Sequence, residues 1–149
     1  MPERETIERA HEDAREGRSP STQAGEFVRE EMHHIREGKH GAASIKQAIA
    51  IGLSKARRAG VKLGPPRTGK TSARTRQKAE RDYERGQSHS RKKSSTRSRA
   101  TSRALKREGH SAASHSSLSR QARSAAKKRG SASRRSAARK ASRTRKAHE

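Results

Sequence analysis

The amino-acid sequence predicts an all-α protein, in which a small helical hairpin is followed by a long basic tail. Two observations support the hairpin: apolar residues recur at helical spacing through residues 21–63, and serine and glycine stand where these segments begin and end. A third observation supports the tail. Charged residues make up 36% of the chain and aromatic residues 1%, which is too little aromatic surface for a large packed core.

The segment 44–60 carries the strongest helix signals. Ser44 and Gln47 have the spacing of a capping box, and Gly60 favours the left-handed turn that ends a helix. Between them, six small or apolar residues follow the spacing of one helix face and do not alternate as in a strand: Ile45, Ala48, Ile49, Gly52, Leu53 and Ala56. We therefore predict a helix over about 44–59.

Two more helices are predicted upstream. One spans 3–16, carries a thin apolar stripe and ends at Gly17; the other spans about 21–37 and ends near Gly38. The helices 21–37 and 44–59 form the hairpin, whose expected core residues are Phe27, Val28, Met32, Ile35, Ile45, Ile49, Ile51, Leu53, Val61 and Leu63. So small a hairpin is only marginally stable by itself, so we expect it to pack on the first helix, on a second copy or on a partner.

The charge divides the chain into a nearly neutral head and a cationic tail. Residues 1–64 hold 12 Lys and Arg against 10 Asp and Glu, whereas residues 65–149 hold 27 against 5. The predicted domains are a charged N-terminal helix and linker (1–20), the hairpin domain (21–64) and a low-complexity Arg/Lys/Ser/Ala tail (65–149).

The tail is expected to be largely disordered, or helical only under some conditions, because like charges oppose helix formation. Its best helix candidates are four segments: 72–85, 101–108, 117–129 and 131–148. Residues 87–99, where serine and basic residues adjoin, are expected to be disordered.

A tail of this charge requires a polyanionic partner, and nucleic acid is the most abundant one. The tail has almost no large apolar residues opposite its charges to anchor it in a membrane interface, and too few aromatic residues to stack on unpaired bases. We therefore expect contacts to phosphates, on DNA rather than RNA. The predicted nucleic-acid-binding residues are Arg91, Lys92, Lys93, Arg97, Arg99, Arg103, Lys106, Arg107, Arg120, Arg123, Lys127, Lys128, Arg129, Arg134, Arg135, Arg139, Lys140, Arg143, Arg145 and Lys146.

A second hypothesis places base recognition in the hairpin, as a helix-turn-helix. The predicted helix 44–59 would then be the recognition helix, with outward side chains of suitable type, although the connection before it is longer than the tight turn of that motif. These side chains are Lys46, Gln47, Lys55, Arg57 and Arg58.

The sequence predicts no catalytic, cofactor-binding or metal-binding residues, and the protein is expected not to be an enzyme. It has no cysteine for a thiolate metal site or a disulfide. His33, His34 and His40 lie near Glu30, Glu31 and Glu37 in sequence, but adjacent histidines on a helix point about 100° apart, so His33 and His34 do not easily bind one ion. We interpret this stretch as a polar helix face.

Two segments, residues 25–41 and 44–63, resemble a family of small basic bacterial proteins that are often labelled plasmid stabilisation proteins. The block KQAIAIGLS at 46–54 is the most specific part of this similarity, and residues 104–115 and 118–122 also look similar to the family. The resemblance covers roughly 20–63 and 100–125 and implies a bacterial, DNA-associated protein. In composition, the tail resembles those of linker histones and bacterial histone-like proteins.

The expected function is therefore sequence-nonspecific binding of nucleic acid, as a nucleoid-associated or plasmid-maintenance protein. The alternatives are a protein–protein adaptor of a plasmid-stabilisation system and an RNA- or ribosome-associated basic protein. The hairpin is expected to mediate homo-oligomers. The acidic N-terminus has no apolar signal core, and no apolar run approaches a membrane span, so we expect a cytoplasmic protein that is not membrane-bound.

We predict that the protein hydrolyses neither ATP nor GTP, although residues 64–71 match the phosphate-loop pattern G-x-x-x-x-G-K-[ST]. That pattern works between a strand and a helix, whereas a predicted helix ends just before this segment. The measurement is phosphate release by the purified protein. Hydrolysis that is lost in the Lys70→Ala variant would contradict the interpretation of this segment as a hinge.

Overall fold

The computed structural model describes residues 2–88 and 94–146. The chain divides into two compact units, Met1–Ala113 and Ser114–Glu149. The described residues form six α-helices, one short 3₁₀ helix and no strand. The all-α prediction is confirmed. None of these helices combines the length and the apolar character that crossing a membrane requires.

The first three helices begin and end close to the predicted residues. Helix α1 spans Arg4–Arg15, α2 spans Pro20–Arg36 and α3 spans Ile45–Arg58. The Ser44 hydroxyl accepts the Gln47 backbone N–H at 3.2 Å, as a capping box requires. The Gln47 side chain, however, accepts the Ala43 N–H at 2.7 Å. Gly60 follows α3 with a φ of 96°, in agreement with the predicted end of the helix.

Helices α2 and α3 form the centre of the first unit, because α2 also packs against α1 and α3 also packs against α4. The main apolar cluster joins all three helices through Ala10, Ala24, Phe27 and Ala56, with Val61 closing it from the chain after α3. The hairpin therefore does pack on the first helix, which was one of the three predicted sources of extra stability.

The predicted core is only partly correct. Phe27, Met32, Ile35 and Val61 are buried, whereas the other six predicted residues are half-buried: Val28, Ile45, Ile49, Ile51, Leu53 and Leu63. The face of α3 that is fully covered consists of small residues, Ala48, Gly52 and Ala56. Small residues let two helices approach closely. The large apolar residues of α3 therefore lie to the side of the line along which α2 and α3 touch, which we call the contact line.

The closest approach is at Gly52. A Cβ atom built on Gly52 would lie 2.7 Å from Val28 Cα and 3.0 Å from the Phe27 carbonyl oxygen, both backbone atoms of α2. No real Cβ atom fits at such a distance without movement of the backbone. The residue at 52 must therefore be glycine for α2 and α3 to pack as they do.

Part of the predicted tail packs on the head. Helix α4 spans Ala73–Gln87, begins at the Ser72 cap and lies against α3. Ala79 is buried there, and Ser54 on α3 donates to the Asp82 carboxylate at 2.6 Å. A Cβ on Gly86 would overlap the Arg57 carbonyl, so this contact also depends on glycine.

A second part of the predicted tail closes the other end of the hairpin. Helix α5 spans Ser95–Lys106, and a 3₁₀ helix at Ser111–Ala113 follows it. The Leu105 carbonyl accepts the Gly41 N–H at 2.9 Å and the Gly109 carbonyl accepts the Ala42 N–H at 3.0 Å. The 3₁₀ helix contacts both α2 and α3 and buries two alanines.

Helix α6 spans His115–Lys146 and makes up most of the second unit. Gly130 interrupts its helical backbone with φ 75° and ψ 168°, a conformation that is essentially restricted to glycine. Gly130 therefore divides α6 into two helical segments at the residue that was expected to end the helix predicted over 117–129, and the described part of the segment 131–148 forms the second.

The prediction of a largely disordered tail is wrong for the residues that the structure describes. Ala, Arg and Lys are good helix formers, and serine caps start α4 and α5. Buried alanines and close-packed glycines replace the large apolar residues whose scarcity suggested disorder. Of the segment 87–99, residues 94–99 precede or belong to α5, and residues 89–93 lie outside the described residues.

We predict that Gly52→Ala destabilises the protein by about 1–3 kcal/mol, because the added methyl overlaps the α2 backbone and forces the helices apart. The matched control is Gly25→Ala on α2, where an added Cβ meets nothing within 4 Å. That control should stabilise the protein by about 0.5–1 kcal/mol through helix propensity. Urea unfolding followed by circular dichroism measures both. Equal effects of the two changes would contradict the close contact at Gly52.

Candidate functional site

The cationic residues of α5 are all on the surface. Arg97, Arg99, Arg103 and Lys106 lie on the helix, and Arg107 is the residue at its C-terminal end. Each of these side chains is exposed. The predicted residues Arg91, Lys92 and Lys93 lie outside the described residues.

Helix α6 carries 12 Lys and Arg and no Asp or Glu. Before Gly130, three of its cations share one face at i, i+3 and i+7, opposite Leu118 and Ala125. These are Arg120, Arg123 and Lys127, and we call them the α6 stripe. After Gly130 the cations occur all around the helix. The cations of α6 are exposed, among them every predicted residue from Arg120 to Lys146.

The cations of α5 and α6 form no ion pair within 4.0 Å in the part of the chain that the structure describes. The ion pairs of the described residues instead lie in the head and on α4, where carboxylates pair with residues such as Arg9, Lys39, Lys55 and Arg58. The charge of α5 and α6 is therefore available to an external polyanion.

A second polar group lies inside the head, where α2 ends. It consists of two buried carboxylates on α2, Glu30 and Glu31, the histidines His34 and His40, and Lys55 from α3. We call these five residues the buried polar cluster. Lys55 Nζ lies 2.6 Å from Glu31 Oε2 and 3.9 Å from Glu30 Oε1. His40 Nε2 lies 3.3 Å from Glu31 Oε1.

The chain just before α1 covers the cluster. The Glu3 backbone N–H donates to Glu30 Oε1 at 3.1 Å, and the Glu3 carboxylate lies 2.9 Å from His34 Nε2. The hydrogen bond from His34, followed by the contacts from Lys39, lowers the pKa of Glu3 from 4.5 to about 2. Glu3 is consequently ionised at neutral pH and fixes the orientation of the His34 ring.

Both oxygens of Glu31 and one of Glu30 are buried and make no hydrogen bond of regular geometry among the described residues. Glu31 is 0% exposed, so its charge depends on the ion-pair contact with Lys55. A buried carboxylate in this position is costly unless a cation compensates it.

Sequence reasoning missed this cluster, although the signal was present. Glu31 is four residues after Phe27 and four before Ile35, so it lies on the apolar stripe of α2. A carboxylate on a buried stripe requires a buried cation, and Lys55 precedes Ala56 on the covered side of α3. His33, by contrast, is exposed, so the expectation that His33 and His34 point apart agrees with the structure.

The residues suggested for base reading are only partly available. Lys46 and Arg58 are exposed, but Lys55 is paired with Glu31, and Gln47 accepts a hydrogen bond from Ala43. Arg57 is buried, and its Nε–H donates to the Leu63 carbonyl at 3.0 Å. Burial lowers the pKa of Arg57, with a smaller opposing effect of Asp82. The geometry therefore does not favour α3 as a recognition helix.

The segment 64–71 does not have the surroundings of a phosphate loop. It follows irregular chain after α3, and Ser72 then starts α4; no strand precedes it within the described residues. The nucleotide-hydrolysis prediction remains untested by this geometry.

Residues 21–68 match a family of unknown function, DUF6496. The match covers α2 from its second residue, α3 and the chain as far as Thr68, within the 64–71 segment, and is similar in extent to the resemblance over 20–63. Helices α4, α5 and α6 lie outside it. No curated protein and no solved structure gives a significant match.

We predict that Lys55→Met lowers the free energy of unfolding by about 3–5 kcal/mol, because it leaves the Glu31 carboxylate buried without its closest cation. Lys46→Met is the matched control: Lys46 lies on the same helix and is exposed. That change should alter stability by less than about 0.5 kcal/mol. Chemical unfolding of both variants tests the pair. A Lys55 variant as stable as the control would show that Glu31 is not held by Lys55.

Proposed function

We propose that the protein binds nucleic acid without sequence preference and without catalysis, and that duplex DNA is its ligand. The observation that carries this proposal is the charge of α6, where 12 exposed Lys and Arg have no acidic residue among them. Phosphate neutralisation releases condensed counterions and accounts for most nonspecific affinity.

The helical form of α6 supports this function. Its two halves, before and after Gly130, are each about 22–24 Å long at 1.5 Å per residue, so each can follow the DNA surface past several phosphates. A helix that is already formed pays less ordering entropy on binding than a disordered tail would. Arginines outnumber lysines in residues 65–149, and the arginine fork fits a phosphate with two parallel hydrogen bonds.

The described side chains give little support to recognition of a particular base sequence in DNA. The base-reading candidates on α3 are partly buried or engaged in bonds within the head. Aromatic stacking on bases is equally unsupported, because Phe27 is buried in the core and Tyr83 is half-buried.

The head then serves as a folded carrier for the cationic helix. Its resemblance to proteins labelled plasmid stabilisation proteins supports a role on bacterial DNA, as a nucleoid-associated or plasmid-maintenance protein in the cytoplasm. Self-association of the head would place several α6 helices on one DNA molecule and strengthen binding through avidity.

We predict that affinity for duplex DNA falls steeply with salt. If about 10 phosphates are neutralised, the log–log slope is near −9, so affinity falls about 10⁵-fold between roughly 50 and 200 mM salt. Fluorescence anisotropy with two duplexes of unrelated sequence, and with one RNA duplex, measures the slope and the preference. A sequence preference of about 10³ or more would instead indicate base readout.

Two matched variants each remove three positive charges, one from α6 and the other from the head. Changing the α6 stripe residues Arg120, Arg123 and Lys127 to Gln should reduce the slope by about 2.7, at about 0.9 per phosphate contact. Changing three exposed head cations, Arg15, Lys46 and Lys62, to Gln removes the same charge and should leave the slope nearly unchanged. An equal loss in both variants, or tighter binding of RNA than DNA, would contradict the proposal as stated.

A further inference from the structure

The buried polar cluster contains three potential metal ligands at one point. Glu31 and His34 are three residues apart on α2 and therefore share a face, and His40 comes from the loop before α3. One carboxylate oxygen and one nitrogen from each ring lie within 4.8 Å of one another. The His34 and His40 rings meet edge to face, with their centroids 6.0 Å apart.

The hydrogen bond that Nδ1 of His40 makes shows which of the two ring nitrogens can bind a metal. Nδ1 of His40 lies 3.1 Å from the Gly41 carbonyl oxygen, which only accepts, so Nδ1 carries the proton and donates. Nε2 is therefore the ring nitrogen left to bind a metal. It lies 3.3 Å from the Glu31 Oε1 oxygen, which is buried and makes no regular hydrogen bond, so both atoms face one buried place. A metal ion between them would bind both atoms.

The contact between His40 and Glu31 has the length expected for two ligands of one small divalent ion. Zinc binds histidine nitrogen at about 2.0–2.1 Å and carboxylate oxygen at about 2.0–2.2 Å, so two of its tetrahedral ligands lie about 3.3–3.5 Å apart. The separation of His40 Nε2 and Glu31 Oε1 matches this spacing at 3.3 Å. Lys55 contacts the other oxygen of Glu31, at 2.6 Å, and so leaves Oε1 to the ion.

The surroundings also suit a metal. Metal-binding histidines usually hydrogen-bond through their other nitrogen to a carbonyl or carboxylate, and Gly41 provides that partner for His40. Glu3, Glu30 and Glu31 outnumber Lys55 and Lys39 in the immediate contacts, so a cation improves the local charge balance. Nitrogen and oxygen donors together favour zinc and similar transition metals over calcium or magnesium.

We infer that Glu31, His34 and His40 bind one divalent transition-metal ion of the zinc class. The ion joins the C-terminal half of α2 to the loop that leads into α3, so it stabilises the hairpin. This role is separate from the proposed function, because none of the three residues lies on α5 or α6.

The test is a titration of the purified full chain with Zn²⁺ by isothermal titration calorimetry, together with its thermal unfolding midpoint with and without Zn²⁺. We expect one ion per chain and a higher midpoint when the metal is bound. Co²⁺ in place of Zn²⁺ should give the visible absorption of a low-coordinate site, which reports binding at nitrogen and oxygen ligands independently of stability.

His40→Gln is the informative variant because His40 lies in a loop, and circular dichroism without metal verifies that the variant folds. Its Zn²⁺ affinity should be at least tenfold weaker. His33→Gln is the matched control, since His33 is next to His34 but exposed, and it should bind like the unmodified protein. Absence of a one-to-one Zn²⁺ complex, or equal affinity of the two variants, would overturn the inference.

Discussion

Helices α2 and α3 meet backbone to backbone at Gly52, and the other contacts of the head follow from this close approach. Side chains from 48 to 56 that face α2 must be small, which places the isoleucines of α3 at the edge of the contact. The apolar cluster around Phe27 then forms to one side of the contact line, with α1 and Val61 completing it. Because the core of so small a unit is closely packed, it tolerates little change in side-chain volume where α2 and α3 touch.

The same close approach explains the charges inside the head. Because α2 and α3 lie near each other along the covered face, Lys55 reaches Glu31 although the two belong to different helices. The pair takes two charges out of water, which gives little net stability by itself but penalises any arrangement that separates them. It therefore specifies the register of α2 on α3, and it brings His34 and His40 to one carboxylate.

Glycine and alanine also determine how the rest of the first unit packs. Gly86 lets α4 reach the Arg57 carbonyl, and Gly41 lets the chain after α5 reach the middle of the α2–α3 loop. Neither contact requires a large apolar side chain. The first part of the predicted tail, up to Ala113, thus belongs to the first folded unit. Helix α6, which carries cations and no acidic residues, belongs to the second unit and keeps its charges exposed.

The first three helices could be predicted from the sequence, because periodicity, serine caps and terminal glycines are local signals that need no tertiary contact. The sequence also determined where the positive charge is concentrated, since charge is a matter of composition. Tertiary packing, in contrast, brings Glu31, Lys55 and His40 together, buries Arg57 and orders much of the chain after residue 65. These outcomes depend on which surfaces approach within a few ångströms, and no local signal in the sequence shows which distant segment a given surface will contact.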